Sequence, residues 1–213
     1  MDRNGHPMIS LTFDDGPNTT ITPKVLDILE GNGVPASFFL IANNIKPECI
    51  PVIKRALSLG CEIENHSVTH GFMDKMTPDE IRREVAECSE TITGITGRAP
   101  RFFRPPFIAV NQTMYDLIPL TFICGVGCED WVPMVTAQQR IDRVLADAKD
   151  GNLVLLHDMW GNENTVEAIR VIIPELKRRG FRFMTCAGIF EEAGVTPQRN
   201  RLYSNVYQTE DRP

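Results

Sequence analysis

Three of the four histidines in this 213-residue chain fall in short polar segments directly after apolar runs. His66 and His70 belong to His66-Ser67-Val68-Thr69-His70, and His157 follows Leu153-Val154-Leu155-Leu156. Two imidazoles four residues apart converge on one ion when the chain between them makes a helical turn or a tight loop. A carboxylate from Asp14-Asp15 would complete a mixed nitrogen and oxygen set that suits one divalent ion, zinc or cobalt. Three protein ligands leave positions open for water, the pattern of a catalytic rather than a structural site. One Asp of the pair would then bind the ion while the other takes a proton from water. The simpler role for either is to cap the turn at Gly16-Pro17.

Arg104 lies between Phe102-Phe103 and Pro105-Pro106-Phe107. A guanidinium in that apolar setting needs a carboxylate partner, one of the two Asp residues, or a route to water. His157 beside Asp158 reads either as an acid/base group or as a neutral core histidine. Trp131, after Asp130, reads as core or as a platform for a sugar ring.

These groups share a placement, and the elements explain it. Met8–Phe13 alternates as a strand and Thr22 onward carries a helical stripe, with Pro23 at the first helical position and Gly33 at the end. Strands are expected at Ala36–Ala42, Cys61–His66, Arg101–Phe107, Thr121–Gly127, Leu153–Leu156 and Phe181–Cys186. Helices are expected at Pro47–Leu59, after the capping box Thr77/Glu80, at Gln112–Ile118, after Thr136/Gln139, after Asn164/Glu167 with a kink at Pro174, and at Ile189–Ala193. The wholly apolar Leu153–Leu156 marks a parallel strand covered on both faces. About seven strand–helix units make an α/β domain, either a doubly wound open sheet or a barrel. In both, chemistry belongs at the carboxyl ends of the strands, where all these polar residues fall.

Composition narrows the class. With 42% hydrophobic and 23% charged residues the chain is that of a globular protein, and no apolar run reaches the roughly 20 residues of a membrane span. A net charge of −6 disfavours nucleic acid as a partner. The six cysteines form no C-x-x-C pair and read as buried reduced thiols. Residues 1–213 read as a single catalytic domain with a motif-bearing core of about 8–193. The polar stretch 194–213, including Arg199-Asn200-Arg201 and Thr209-Glu210-Asp211, is expected to be a linker or a loosely docked end. Met1 to Pro7 lacks a signal-peptide pattern, so the chain reads as a module excised from a longer protein.

Thr12-Phe13-Asp14-Asp15-Gly16-Pro17, His66-Ser67-Val68-Thr69-His70, Arg104-Pro105-Pro106-Phe107, Asp130-Trp131 and Leu155-Leu156-His157-Asp158 occur in one order. In that order they resemble the polysaccharide deacetylases, carbohydrate esterase family four, over about Met8 to Ala193. The resemblance implies a distorted, incomplete (β/α) barrel. It implies Asp14 as general base, Asp15, His66 and His70 as metal ligands, and Arg104 as the partner of the base. It further implies the Phe107 N–H as an oxyanion donor, His157 as general acid oriented by Asp130, and Trp131 and Leu155 as groove walls. Ile108, Phe107, Gly127 and Glu64 depart from the family pattern without removing a ligand or an acid/base group.

Removal of O-acetyl groups from acetylated xylan is the expected activity, by a monomeric module of a secreted enzyme. N-deacetylation of chitin oligomers or peptidoglycan is the alternative within the family. A non-catalytic carbohydrate-binding protein is the alternative outside it.

Overall fold

The computed structural model describes residues 1–209. Strands and helices alternate as β1 (Met8–Asp14), α1 (Ile21–Asn32), β2 (Ser37–Leu40), α2 (Ile50–Ser58), β3 (Glu62–Asn65), α3 (Pro78–Thr96), β4 (Phe102–Phe103) and α4 (Gln112–Leu117). The series continues with β5 (Thr121–Ile123), β6 (Val126–Gly127), α5 (Ala137–Asp147), β7 (Asn152–His157), α6 (Glu163–Arg178), β8 (Arg182–Phe183), α7 (Cys186–Ala193) and β9 (Leu202–Tyr203). The strands form one parallel sheet, β6-β7-β1-β2-β3-β4-β5-β9, and β8 pairs with the start of β1. The sheet curls into an open half-barrel, the expected distorted, incomplete (β/α) barrel.

Strand periodicity sorts the sequence into two cores. Ile9, Leu11 and Phe13 of β1 point outward into a cluster with α1 and α6 residues such as Leu26, Leu29, Ile169 and Ile172. Met8 belongs instead to an inner cluster with Phe39, Phe102 and Leu153, which Ile189 and Phe190 of α7 complete. Each such side chain contributes roughly 1.5–3 kcal/mol on burial. The α7 backbone docks on the strand starts through Cys186 N–H to Ser37 Oγ (2.8 Å) and Ala187 N–H to Glu62 Oε1 (3.1 Å). That helix seals the floor of the barrel and leaves the carboxyl ends of the strands as its mouth.

Several expected boundaries differ. The run Thr121–Gly127 is two strands: β5 pairs with β4 and β9, whereas β6 pairs with β7 at the other sheet edge. The crossing occurs at Gly125 (φ +89°), where a Cβ would lie 2.9 Å from Leu155 Cβ and 3.1 Å from the Leu153 carbonyl oxygen. The strand expected over Arg101–Phe107 is confined to β4, because Pro105 and Pro106 have no N–H for a ladder. Phe181–Cys186 is a strand only at Arg182–Phe183, since Cys186 opens α7. Pro23 is the third residue of α1, and α6 begins after Asn162 and runs continuously through Pro174.

The expected loose end is docked. Leu202–Tyr203 pairs with β5, and Ser204 O accepts from Leu153 N–H of β7 at 3.0 Å. Tyr203 and Val206 are buried in the inner core. The tail therefore fills the seam that β5 and β6 leave. Glu210 and Asp211 lie outside the described residues. All six cysteines are free, and all but the half-buried Cys124 are buried.

Candidate active site

Asp14 is the last residue of β1, and inward alternation buries it at the barrel mouth. Asp15 follows with φ +70°, a left-handed conformation uncommon for a residue with a Cβ. The turn is tight: a Cβ on Gly16 would lie 2.6 Å from Asp158 Oδ2, so only glycine fits. Asp15 thereby turns its carboxylate toward the two histidines after β3. Its Oδ1 lies 3.4 Å from His66 Nε2 and 3.5 Å from His70 Nε2.

One ligand atom from each of Asp15, His66 and His70 lies within 4.8 Å of the others. Asp15 Oδ1 is buried without a hydrogen-bond partner, an orphaned charge that a cation would satisfy. His66 Nδ1 donates to the Arg104 carbonyl at 2.7 Å, which leaves the Nε2 lone pair aimed at the cluster. Burial opposes ionisation of Asp15, but the neighbouring imidazoles of His66, His157 and His70 hold its carboxyl below the usual range. Burial, followed by the charge of His66, lowers the pKa of His70. A low carboxylate and a neutral imidazole are the ligand forms, so the residues fit a divalent ion.

Arg104, wholly buried, reaches Asp14 Oδ1 through Nη1 and Thr12 Oγ1 through Nη2 at 2.8 Å. Its guanidinium also lies 4.2 Å over the Phe39 ring. The ion pair, rather than exposure, is how the chain accommodates this arginine. Thr12 sits one inward step below Asp14, so both Arg104 partners belong to β1.

The His66–His70 loop is clamped by a residue that sequence reading passed over. Glu84 of α3 accepts the N–H groups of Val68 and Thr69, both at 2.9 Å, and the Thr69 hydroxyl at 2.8 Å. His70 N–H donates to Ser67 Oγ at 3.0 Å, and Ser67 and His70 both have positive φ. The available signal was Glu84 itself, a carboxylate on the buried face that carries Ile81, Val85 and Cys88.

On the other side of the mouth, His157 ends β7. Its Nδ1–H donates to Asp130 Oδ1 at 2.8 Å and its backbone N–H to Asp130 Oδ2 at 2.7 Å. Thr165 Oγ1 adds a third donor to Asp130 at 2.8 Å, and the buried Arg140 donates to both Thr165 and Asn162. Asn162 donates to the His157 carbonyl at 2.9 Å, a role that replaces the helix cap expected nearby at Asn164. Burial would lower the pKa of His157, yet the hydrogen bond and charge of Asp130, with Asp14 and Asp15, raise it to about 9.

These groups surround a cavity of about 320 Å3. Eight of the ten residues singled out from sequence line it, and Arg104 and Asp130 lie directly behind. Phe107 (φ +57°) stacks on Phe72 at 4.1 Å, and its N–H makes no hydrogen bond among the described residues. Trp131 and Leu155 form the opposite wall, with Trp131 edge-on to His157 at 5.5 Å. Asp158, adjacent to His157, is wholly buried under the Asp14–Gly16 turn and bonded to Thr22, and burial raises its pKa to about 7.

Comparison with known proteins places this geometry. A family model described as polysaccharide deacetylase matches residues 2–119. The chain is 44% identical over 200 residues to a bifunctional xylanase/deacetylase of Pseudobutyrivibrio xylanivorans, which covers 93% of this chain and 33% of that protein. The chain thus spans about a third of that relative's length. It is 35% identical over 190 residues to a peptidoglycan-N-acetylglucosamine deacetylase of Bacillus cereus, covering 86% of this chain and 68% of that one. Among solved structures, a family 4 acetyl xylan esterase from Clostridium thermocellum, in complex with a cobalt ion, superposes with a TM-score of 0.91 at 37% identity. That match covers 94% of this chain and 100% of the other.

Proposed function

The chain belongs to the polysaccharide deacetylase family, and we propose that within it this protein hydrolyses O-acetyl esters of xylan, using a divalent ion held by Asp15, His66 and His70. The main support is one juxtaposition: an arginine-paired carboxylate, Asp14, and an aspartate-oriented imidazole, His157, flank the three ligand-type residues at one mouth. A divalent ion there would polarise the acetyl carbonyl and lower the pKa of a nearby water.

The chain's own residues supply the rest. Asp14, paired with Arg104, takes a proton as water adds to the acetyl carbon. The free N–H of Phe107 donates to the developing oxyanion, a contribution of several kcal/mol in favourable geometry. His157, protonated and held by Asp130, gives a proton to the sugar oxygen as the ester bond breaks. Acetate and a free sugar hydroxyl result. Trp131 and Leu155 hold the acetyl methyl group and keep water from the leaving side.

Similarity to the xylanase/deacetylase and to the acetyl xylan esterase supports the ester substrate. Similarity to the peptidoglycan deacetylase favours an amide as the second reading. We place the chain as a monomeric catalytic module of a longer secreted enzyme, in keeping with the third of the Pseudobutyrivibrio protein that it spans.

Acetate release from acetylated xylan and from chitin oligomers, after chelation and again after zinc or cobalt is restored, tests the proposal. Release from xylan alone, dependent on added metal, is expected. Release from chitin oligomers alone would move the substrate to the amide. No release from either with metal bound would make the protein a carbohydrate-binding relative.

A further inference from the structure

A second groove, of about 260 Å3, adjoins the mouth and shares Asp15 with it. Three loops at the carboxyl ends of neighbouring strands build it. Asp15 and Pro17 come from the β1–α1 loop, Asn44, Lys46 and Glu48 from the segment after β2, and Trp160 from the β7–α6 loop three residues beyond His157. None of the proposed acid, base or wall residues takes part in it, and Asp15 is the one residue it shares with the mouth.

Three of its side chains, Trp160, Lys46 and Glu48, are unused by the fold. Trp160 is 80% exposed, enters no ring contact among the described residues, and its indole N–H has no acceptor there. Lys46 and Glu48 form no ion pair among the described residues. Asn44 donates to the Asp15 carbonyl at 2.8 Å, which fixes its carboxamide against the metal-site loop while its oxygen stays open. So exposed an indole gains little in packing, whereas a broad apolar face with a polar edge suits a ligand that is apolar on one side and wet on the other. Lys46 and Glu48 contribute one charge of each sign, and Asp15 is committed to the proposed ion, so the groove selects neither an anion nor a cation. The ligand that matches is neutral, ring-shaped and rich in hydroxyls.

From this geometry we infer that the Trp160 groove is a sugar subsite, in which an unmodified pyranose unit of the polysaccharide stacks on the indole while a neighbouring unit presents its acetyl group over Asp15, His66 and His70. The inference rests on the polysaccharide reading above and adds where the chain lies. It gives the substrate a direction across the mouth, from Trp131 and Leu155 past the metal ligands toward Trp160. It also makes affinity depend on chain length.

The test is a binding titration with unacetylated xylohexaose, followed by indole fluorescence in the wild type and in Trp131→Phe, Trp160→Ala and Trp160→Phe. The fluorescence change should persist in Trp131→Phe. Trp160→Ala should weaken binding about tenfold, as expected for loss of an aromatic stack, and Trp160→Phe should restore part of it. On acetylated xylan, Trp160→Ala should raise KM by a similar factor without lowering kcat. Equal affinity in Trp160→Ala and wild type, binding of glucuronic acid in preference to xylohexaose, or a fall confined to kcat would each overturn the subsite. Absence of acetate release by the wild type would instead overturn the deacetylase reading, and the binding titration would still decide the subsite.

Discussion

Asp14 and His157 are register partners on the adjacent parallel strands β1 and β7. The sheet itself, with neighbouring strands about 4.8 Å apart, therefore fixes the spacing between the proposed base and the proposed acid. Asp15, His66 and His70 depend instead on loop conformation, and hydrogen bonds from Asn44 to the Asp15 carbonyl and from the His66–His70 loop to Glu84 hold those loops.

The division between Asp14 and Asp15 gives a paired prediction. Asp15→Ala should lose the metal, read as metal content after dialysis. Asp14→Asn should retain it while kcat falls by about 100-fold or more. Near-normal turnover in Asp14→Asn would assign the base elsewhere.

As the proposed acid, His157 should set an alkaline limit on turnover. Its pKa in the fold, about 9, exceeds the unfolded reference of about 6.5. Its contribution to stability is then complete below that reference and lost as pH rises through about 9. Turnover that needs the protonated imidazole should fail over the same upper range. Asp130→Asn removes the principal group that favours the charged form, so the alkaline limb of kcat should move down by about one unit or more. An unmoved limb in a kcat profile from about pH 6 to 10 would exclude His157 as the acid.

Glu84 would act on the proposed metal site only through the loop it clamps. Glu84→Ala leaves two N–H groups and a hydroxyl without their acceptor, at a cost of about 1–3 kcal/mol. Metal affinity should fall about tenfold or more, measured by competition with a chromogenic chelator. A variant that loses stability but binds metal as tightly as the wild type would confine Glu84 to the fold.

Gly125 allows the chain to cross from β5 to β6. Gly125→Ala combines an unfavourable backbone conformation with a 2.9 Å approach to Leu155 Cβ. It should cost about 2 kcal/mol or more, a fall of about 4–8 °C in Tm. A thermal melt unchanged from wild type would show that the β5–β6 crossing relaxes without cost.

Much of this protein is determined by its sequence alone. Alternation in Met8–Phe13, the apolar run Leu153–Leu156 and the capping boxes at Thr77 and Thr136 are local signals, and local hydrogen bonding and burial realise them directly. Because the polar residues follow those strands, their common mouth also follows from strand direction. The tertiary structure decided the rest. Nothing local splits Thr121–Gly127 between opposite sheet edges; that requires β9 and Ser204 to occupy the seam. Nothing local directs Glu84 to a loop 15 residues earlier, or ranks Arg140, Asn162 and Thr165 as the support behind Asp130. A buried donor takes the nearest acceptor in space, and the folded barrel is what sets that proximity.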